Sequence, residues 1–468
     1  MDTQLAKALS SSWSSAPRNA ASTGRRDACP TTPGLPHLWF RGRRFRGWRQ
    51  FLCGLGLLVF PSLQNSVRAD DWPQWRGPHR DGVSQETGLL KEWPKQGPKL
   101  LWQVKETGSG YSTPSVVGQR LYLLGNNGLE NEFVEALSVA DGKRIWSTRL
   151  GNVGQPDQQP KFPAARSTPT VEGQFLYALG SDGDLACVAL DGGKVRWHKN
   201  IRTDFGGTPG IWAYSESPLL DGERVVCTPG GSEATLIALN KNTGELIWKC
   251  AVPGGDAAAY SSAIMVDAGG MKQYVQVLQT GLVGIEAKSG KFLWRYKRIN
   301  SPYKANIPTP VARGDLIYSA AAGVGGAVIK LKAREGAVDF DEVYFSPKLP
   351  TAIGGEVPVG ILLFGTTGQA LLCFEFNTGN IKWEDHALGT ASLCYADGRL
   401  YLHGENGEVG LVDASADGYH EKGRFSPPDQ PKRINEMEKA WAYPVVANGH
   451  LHIRDHNQLW CYDVKAGK

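Results

Sequence analysis

Residues 100–468 are built on one pattern that keeps returning: an apolar strand, a polar turn carrying Gly, two or three residues, then Trp. It reads Ala136-Leu137-Ser138-Val139-Ala140-Asp141-Gly142-Lys143-Arg144-Ile145-Trp146 and returns at 188–197, 237–248, 288–294 and 376–383. Successive Trp residues lie 51, 51, 46 and 89 positions apart, the last interval spanning two periods with a degenerate copy at 329–345. A unit of this length cannot bury both its apolar faces alone, so the repeat, rather than the chain length, decides the architecture.

A second signature precedes each first: a small-residue strand, a Gly turn, and an apolar or aromatic strand. Ser112-Thr113-Pro114 leads to Leu121-Tyr122, Ser167-Thr168-Pro169 to Leu176-Tyr177, and Ser217-Pro218 to Val225-Val226. Ser261-Ser262 precedes Tyr274, Thr309-Pro310 precedes Tyr318, a weak copy fills 354–364, and Ser392 and Tyr443-Pro444 lead to Tyr401 and His452. Eight such units of four short strands predict an all-β fold, an eight-bladed β-propeller of four-stranded antiparallel blades in which each sheet covers its neighbours' faces. The turn Gly meets the left-handed demand of a tight hairpin. Trp102, Trp146, Trp197, Trp248, Trp294 and Trp383 then land on outer strands as blade-docking residues, filling the wedge between blades. The run 459–468 stops where the next Trp strand should begin, while Trp102 stands ahead of the first unit. The N-terminal strand is therefore expected to pair with the C-terminal blade and close the ring.

Upstream the composition changes. Residues 1–69 hold ten Lys/Arg and two acids, so the net charge of +5 belongs to this leader; from Asp70 onward 41 basic face 44 acidic residues, a net of −3. That balance argues against nucleic acid as a partner. Residues 1–40, rich in Ser, Ala and Pro, read as an unstructured leader; no Met lies between Met1 and Met265, so a later translation start would use another codon. Residues 41–69 read as a signal peptide: a cationic run from Arg41 to Arg49, ten apolar residues at 51–60, and Val67-Arg68-Ala69 before the cleavage point. That apolar stretch is half of the ~20 residues a membrane span needs, so the chain is expected to be exported, periplasmic or secreted, and not membrane-spanning. Residues 70–99 are expected to form an N-terminal extension packing on the propeller at 100–468.

The motif Ala/Val-Leu-Asp/Asn-x-x-Thr/Ser-Gly-Lys/Glu-x-x-Trp resembles the repeat of pyrroloquinoline-quinone-like propellers, a superfamily spanning quinoprotein alcohol dehydrogenases and the propeller subunit of the outer-membrane β-barrel assembly machine. Asp71-Trp72-Pro73-Gln74-Trp75-Arg76-Gly77-Pro78 looks like the lead-in of secreted bacterial members. In the dehydrogenases the resemblance implies adjacent cysteines over the quinone, a calcium on acidic and amide side chains, and often a haem. Here no two cysteines are adjacent and no Cys-x-x-Cys-His exists. The reading is therefore a non-catalytic scaffold with no cofactor and no catalytic residue. A quinoprotein oxidoreductase of alcohols or sugars, using pyrroloquinoline quinone and calcium, is the alternative.

Cys187, Cys373 and Cys461 fall at one slot of three separated blades, and Cys227 and Cys250 on different strands of one blade, so they and Cys394 read as buried thiols rather than disulfides. His450, His452 and His456, with Arg454 and Asp455, resemble a site, since His450 and His452 share a strand face as metal ligands could. But His452 aligns with Tyr177 and Tyr401, and His456-Asn457 fills a hairpin slot, so no metal is assigned. The functional surface is placed on the loops that run from each outer strand to the next inner strand. These carry Arg166, Trp212, Tyr214, Tyr260, Lys304 and Trp441, a ring of aromatic and cationic groups suited to an envelope or secreted protein or a small polar ligand. The insert 426–441, with a helical stretch at 434–439, is the expected blade-specific addition there. The chain is expected to act as a monomer.

Overall fold

The computed structural model describes residues 71–158, 162–334, 337–433 and 438–467. The leader at 1–40, the signal peptide at 41–69 and most of the helical stretch expected at 434–439 lie outside them. Among the described residues, eight four-stranded antiparallel sheets form a ring, an eight-bladed β-propeller. In chain order the blades cover 115–151, 170–200, 219–250, 264–296, 311–346, 356–385 and 391–425. The eighth combines Val445–Ala447, His450–Asp455 and Gln458–Asp463 with Lys99–Val104 as its outermost strand. In that strand Trp102 lies opposite Cys461. The degenerate copies are full blades: the fifth ends in the long hairpin Gly325–Arg334 and Ala337–Ser346, and the sixth opens with Glu356–Val359 and Leu362–Thr366.

Each signature has a physical reason. The small-residue motif builds a hydrogen-bonded belt around the axis, in which a hydroxyl of one blade accepts from the backbone N–H of the blade before it. Thr168 N–H donates to Ser217 Oγ, Ser217 N–H to Ser262 Oγ and Ser262 N–H to Thr309 Oγ1, at 2.9, 2.9 and 3.4 Å. Tyr443 N–H donates to Thr113 Oγ1 at 3.0 Å, joining the eighth blade to the first.

The Trp motif works between blades as well. Trp102, Trp146, Trp197, Trp248 and Trp383 each donate the indole N–H to a carbonyl of the following blade, on Val139, Leu190, Lys241, Ala287 and Ser415. The turn Gly of that following blade lies flat on the ring. A Cβ on Gly142, Gly193, Gly244 or Gly290 would come within 2.8, 2.7, 2.9 or 2.5 Å of Trp102, Trp146, Trp197 or Trp248, and all four glycines have positive φ. The Gly is thus required twice, by the backbone and by the neighbouring indole. Beside each Trp position the third and fourth strands slip register by one residue, for example between Ala136 and Leu137 and between Cys187 and Val188. Such a bulge re-aims the side chain and tightens the twist.

Trp294 departs from the expected pattern. Its indole donates within its own blade, to Gln273 Oε1 at 2.7 Å, and its ring packs on Phe340 of the fifth blade. The fifth blade has no Trp; Tyr344 takes the position, donating to Phe376 O at 2.7 Å beneath Gly379. The seventh blade has Gly423 there, and Trp93 of the N-terminal extension fills the gap, packing on Tyr401 and Phe425 with centroids 5.8 and 5.4 Å away.

The same extension crosses the axis. Trp72 bridges Val116, and Pro73 O accepts from Val171 N–H. The Arg80 guanidinium donates to the carbonyls of Ser217 and Pro218, and the Trp75 indole to Thr309 Oγ1. Arg76 donates to Glu356 O, Ser84 N–H to Tyr395 O, and Ser84 Oγ to Val446 O. These partners lie on, or just before, the innermost strands of seven of the eight blades. A segment that reaches so many inner strands must lie across the middle of the ring.

Candidate functional site: the loop face above a filled axis

Four of the expected site residues, Arg166, Trp212, Tyr260 and Trp441, form an arc with Tyr111 over contiguous loops. The Trp441 ring sits 5.0 Å from that of Tyr111, and the Arg166 guanidinium lies 6.0 Å over Tyr111. Arg166 donates to Trp212 O, and the Trp212 ring is 5.7 Å from that of Tyr260. Arg166, Trp212 and Trp441 keep part of their surface in solvent, while Tyr260 is 8% exposed. Tyr214 lies beneath: it is 2% exposed and its hydroxyl donates to Pro229 O at 2.7 Å, so it supports the arc without offering a contact surface. Lys304 stands apart on the next loop, exposed and at φ 55°, with its N–H donating to Ser301 O. Tyr111 is the member that sequence reasoning missed; the signal was its place immediately before the Ser112-Thr113-Pro114 motif.

Hydrogen bonds hold the arc in place. The Trp441 indole donates to Glu405 Oε1 at 3.0 Å, and Trp441 O accepts from Ser392 Oγ at 3.1 Å. Arg454 is fully buried and donates to the carbonyls of Ser112, Leu124 and Gly108, pinning the loop that carries Tyr111. Asp455 accepts two bonds from Arg433, at 2.8 and 2.5 Å, which anchors the insert. A polar cleft lined by Lys105, Glu106, Ser109, Asn127, Arg144 and Asn457 opens beside the arc, between the eighth and first blades. What results is a stiff face of ring edges, a guanidinium and an exposed ammonium. It can stack on aromatic or planar groups and pair with acidic ones.

Groups of other chemistry are buried. All six described cysteines are free and buried, and burial pushes the thiols of Cys187 and Cys250 up to about 11 and those of Cys373, Cys394 and Cys461 up to about 12. None is a ready nucleophile. Below the arc, Glu216 accepts from Thr228 Oγ1 at 2.7 Å and from Gln276 Nε2 at 3.0 Å, and burial raises its carboxyl to about 7. His456 lies 5.4 Å from the Tyr111 ring with Nδ1 3.4 Å from Glu438. His452 is fully buried against Trp102, and burial lowers its pKa to about 3. Both of its ring nitrogens lack a hydrogen-bond partner. Each such buried orphan costs on the order of 1–3 kcal/mol.

The fold and the repeat define a propeller of the pyrroloquinoline-quinone-like class. Residues 82–235 and 214–418 match the PQQ_2 family, described as outer membrane protein assembly factor BamB, and the chain belongs to that family. The outer membrane protein assembly factor BamB of Nitrosomonas eutropha is 23% identical over 289 residues, 59% of this chain and 63% of that protein. The quinoprotein alcohol dehydrogenase PedH of Pseudomonas putida is 25% identical over 321 residues, 67% of this chain and 46% of that protein. The matched segments thus span less than two thirds of either relative. Among solved structures, BamB from Moraxella catarrhalis superposes with a TM-score of 0.56 at 12% identity, covering 79% of this chain and 98% of that one.

Proposed function

We propose that the chain is an exported scaffold that binds an envelope protein through its loop face and catalyses no reaction. The observation that carries this reading is the occupied axis: Trp75, Arg76 and Arg80 take up the middle of the ring, so recognition falls to the face around Arg166, Trp212, Lys304 and Trp441. The family's description supports a partner from the machinery that assembles outer-membrane proteins. In this reading the segment at 41–69 directs export to the periplasm or beyond, and the mature protein works as a monomer. Among the described residues no helix is long and apolar enough to cross a membrane.

The similarity to PedH is the observation favouring a quinoprotein oxidoreductase. Its residues fit that chemistry poorly. The buried acid and amide pair Glu216 and Gln276 is engaged with Thr228, and no two cysteines are adjacent to lie over a quinone.

One experiment separates the two. Immobilised full-length protein is exposed to solubilised envelope, beside a double variant Trp212→Ala, Lys304→Glu. The scaffold reading expects components of the outer-membrane assembly machinery on the wild type, reduced at least tenfold on the variant. Equal capture by both would remove the loop face from the proposal. Saturable binding of pyrroloquinoline quinone with calcium, together with dye-linked alcohol oxidation, would replace the scaffold by the enzyme.

A further inference from the structure

In the eighth blade three metal-binding side chains converge that no other blade brings together among the described residues. His450 and His452 project from one face of His450–Asp455, and Cys461 of the next strand lies directly opposite His452. One donor atom from each of the three lies within 4.8 Å of the other two. Donors bound at about 2.0–2.3 Å to one ion sit roughly 3.5–4 Å apart, so small side-chain rotations would close the set.

The sibling blades show what this row holds when it serves packing alone. Opposite Cys187 stands Tyr177, with Phe175 opposite Ala189; opposite Cys373 stands Phe364, with Leu362 opposite Glu375. The cysteine is therefore a feature of the repeat, and the two imidazoles are the departure. Packing against Trp102 accounts for the ring of His452 but not for its nitrogens, which are buried and unpartnered, one of them within 4.8 Å of the Cys461 thiol and of a His450 nitrogen. His450 is partly exposed and lies opposite Asp463, which gives an ion a way in from solvent.

We propose that His450, His452 and Cys461 form a binding site for a thiophilic closed-shell cation, Zn(II) or Cu(I). Two imidazoles and a thiolate are a donor set that suits either ion, and neither ion demands an oxygen-rich octahedral cage. Binding releases the thiol proton of Cys461 to solvent, and the ion supplies the positive charge that a buried thiolate needs. The bound ion would clamp the second and third strands of the blade whose fourth strand is Lys99–Val104.

The test uses full-length protein without a polyhistidine tag, stripped by chelator and desalted. Zn(II), or Cu(I) under anaerobic reducing conditions, is added, excess is removed, and metal per chain is measured by mass spectrometry. X-ray absorption then reads the donors. The expected result is one equivalent retained on one sulfur and two imidazole nitrogens, and the relative retention of the two ions gives the preference of the site. The double variant His450→Phe, His452→Tyr gives this blade the row of the second blade, so it should fold, as its circular dichroism will show, yet lose at least tenfold in affinity. Cys461→Ser should do the same, while Cys187→Ser should leave binding unchanged. Retention of neither ion, or retention that survives both the double variant and Cys461→Ser, would overturn the assignment.

Discussion

Glu356 begins the innermost strand of the sixth blade, is 1% exposed, and has both carboxylate oxygens without a hydrogen-bond partner. Burial pushes its carboxyl up to about 8, with the Arg76 charge acting the other way. Between its ordinary value of 4.5 and about 8 the folded chain therefore keeps a proton that the unfolded chain has released. Stability from this group is complete below pH 4.5 and is lost as the pH rises towards 8. The buried His403, His452 and His456, with the half-buried His450, act in the opposite sense below pH 6.5, because desolvation lowers each of them. A difference between variants isolates the carboxyl. Relative to wild type, Glu356→Gln should gain at least ~1.4 kcal/mol between pH 5 and pH 8.5, the worth of one pKa unit, in urea unfolding at the two values. A constant difference would mean that Glu356 titrates normally. Nothing in the sequence marks this residue, since its burial depends on blades far apart in the chain. The roles of Trp146 and Trp197 were legible because the same position recurs; the departure of Trp294 was not, because it rests on Gln273 across its own blade and on Phe340 in the long hairpin of the next.

At the scale of elements the ring behaves as a set of joints, four of which seat a Trp from one blade under a Gly from the next. Where the joint lacks its Trp, the fold supplies another ring: Tyr344 in the fifth blade, and Trp93 from outside the repeat at the seventh. Trp93 is 5% exposed, and Gly423 leaves it room, since a Cβ there would stand 2.6 Å from Trp93 Cβ. Trp93→Ala should therefore cost ~3–5 kcal/mol, as for other large core truncations, and match Trp146→Ala in the same denaturation assay. A loss within ~0.5 kcal/mol, the usual range for surface positions, would show the N-terminal segment to be an ornament on the seventh blade. The joints themselves were readable from the Gly-to-Trp spacing. The substitution of Trp93 was not, because its sequence position lies more than three hundred residues from Gly423 and belongs to no repeat.

For the whole molecule the repeat period foretold eight blades, and the half-units at the two ends foretold which strands would meet. The filled axis was hidden, because 71–86 carries no period and its bonds run mostly to backbone carbonyls and amides that any sequence offers. In the proposed scaffold reading, the occupied middle leaves recognition to the arc from Trp441 to Tyr260. Amide hydrogen exchange read by mass spectrometry tests this most directly. The N–H groups of Trp72, Gly82 and Ser84 donate to Val116 O, Arg76 O and Tyr395 O. Peptides covering 72–84 should therefore exchange as slowly as those covering the inner strands Val311–Arg313 and Glu356–Val359. Exchange of 72–84 at the rate of open loops, with the inner strands still protected, would mean an empty axis and contradict the account.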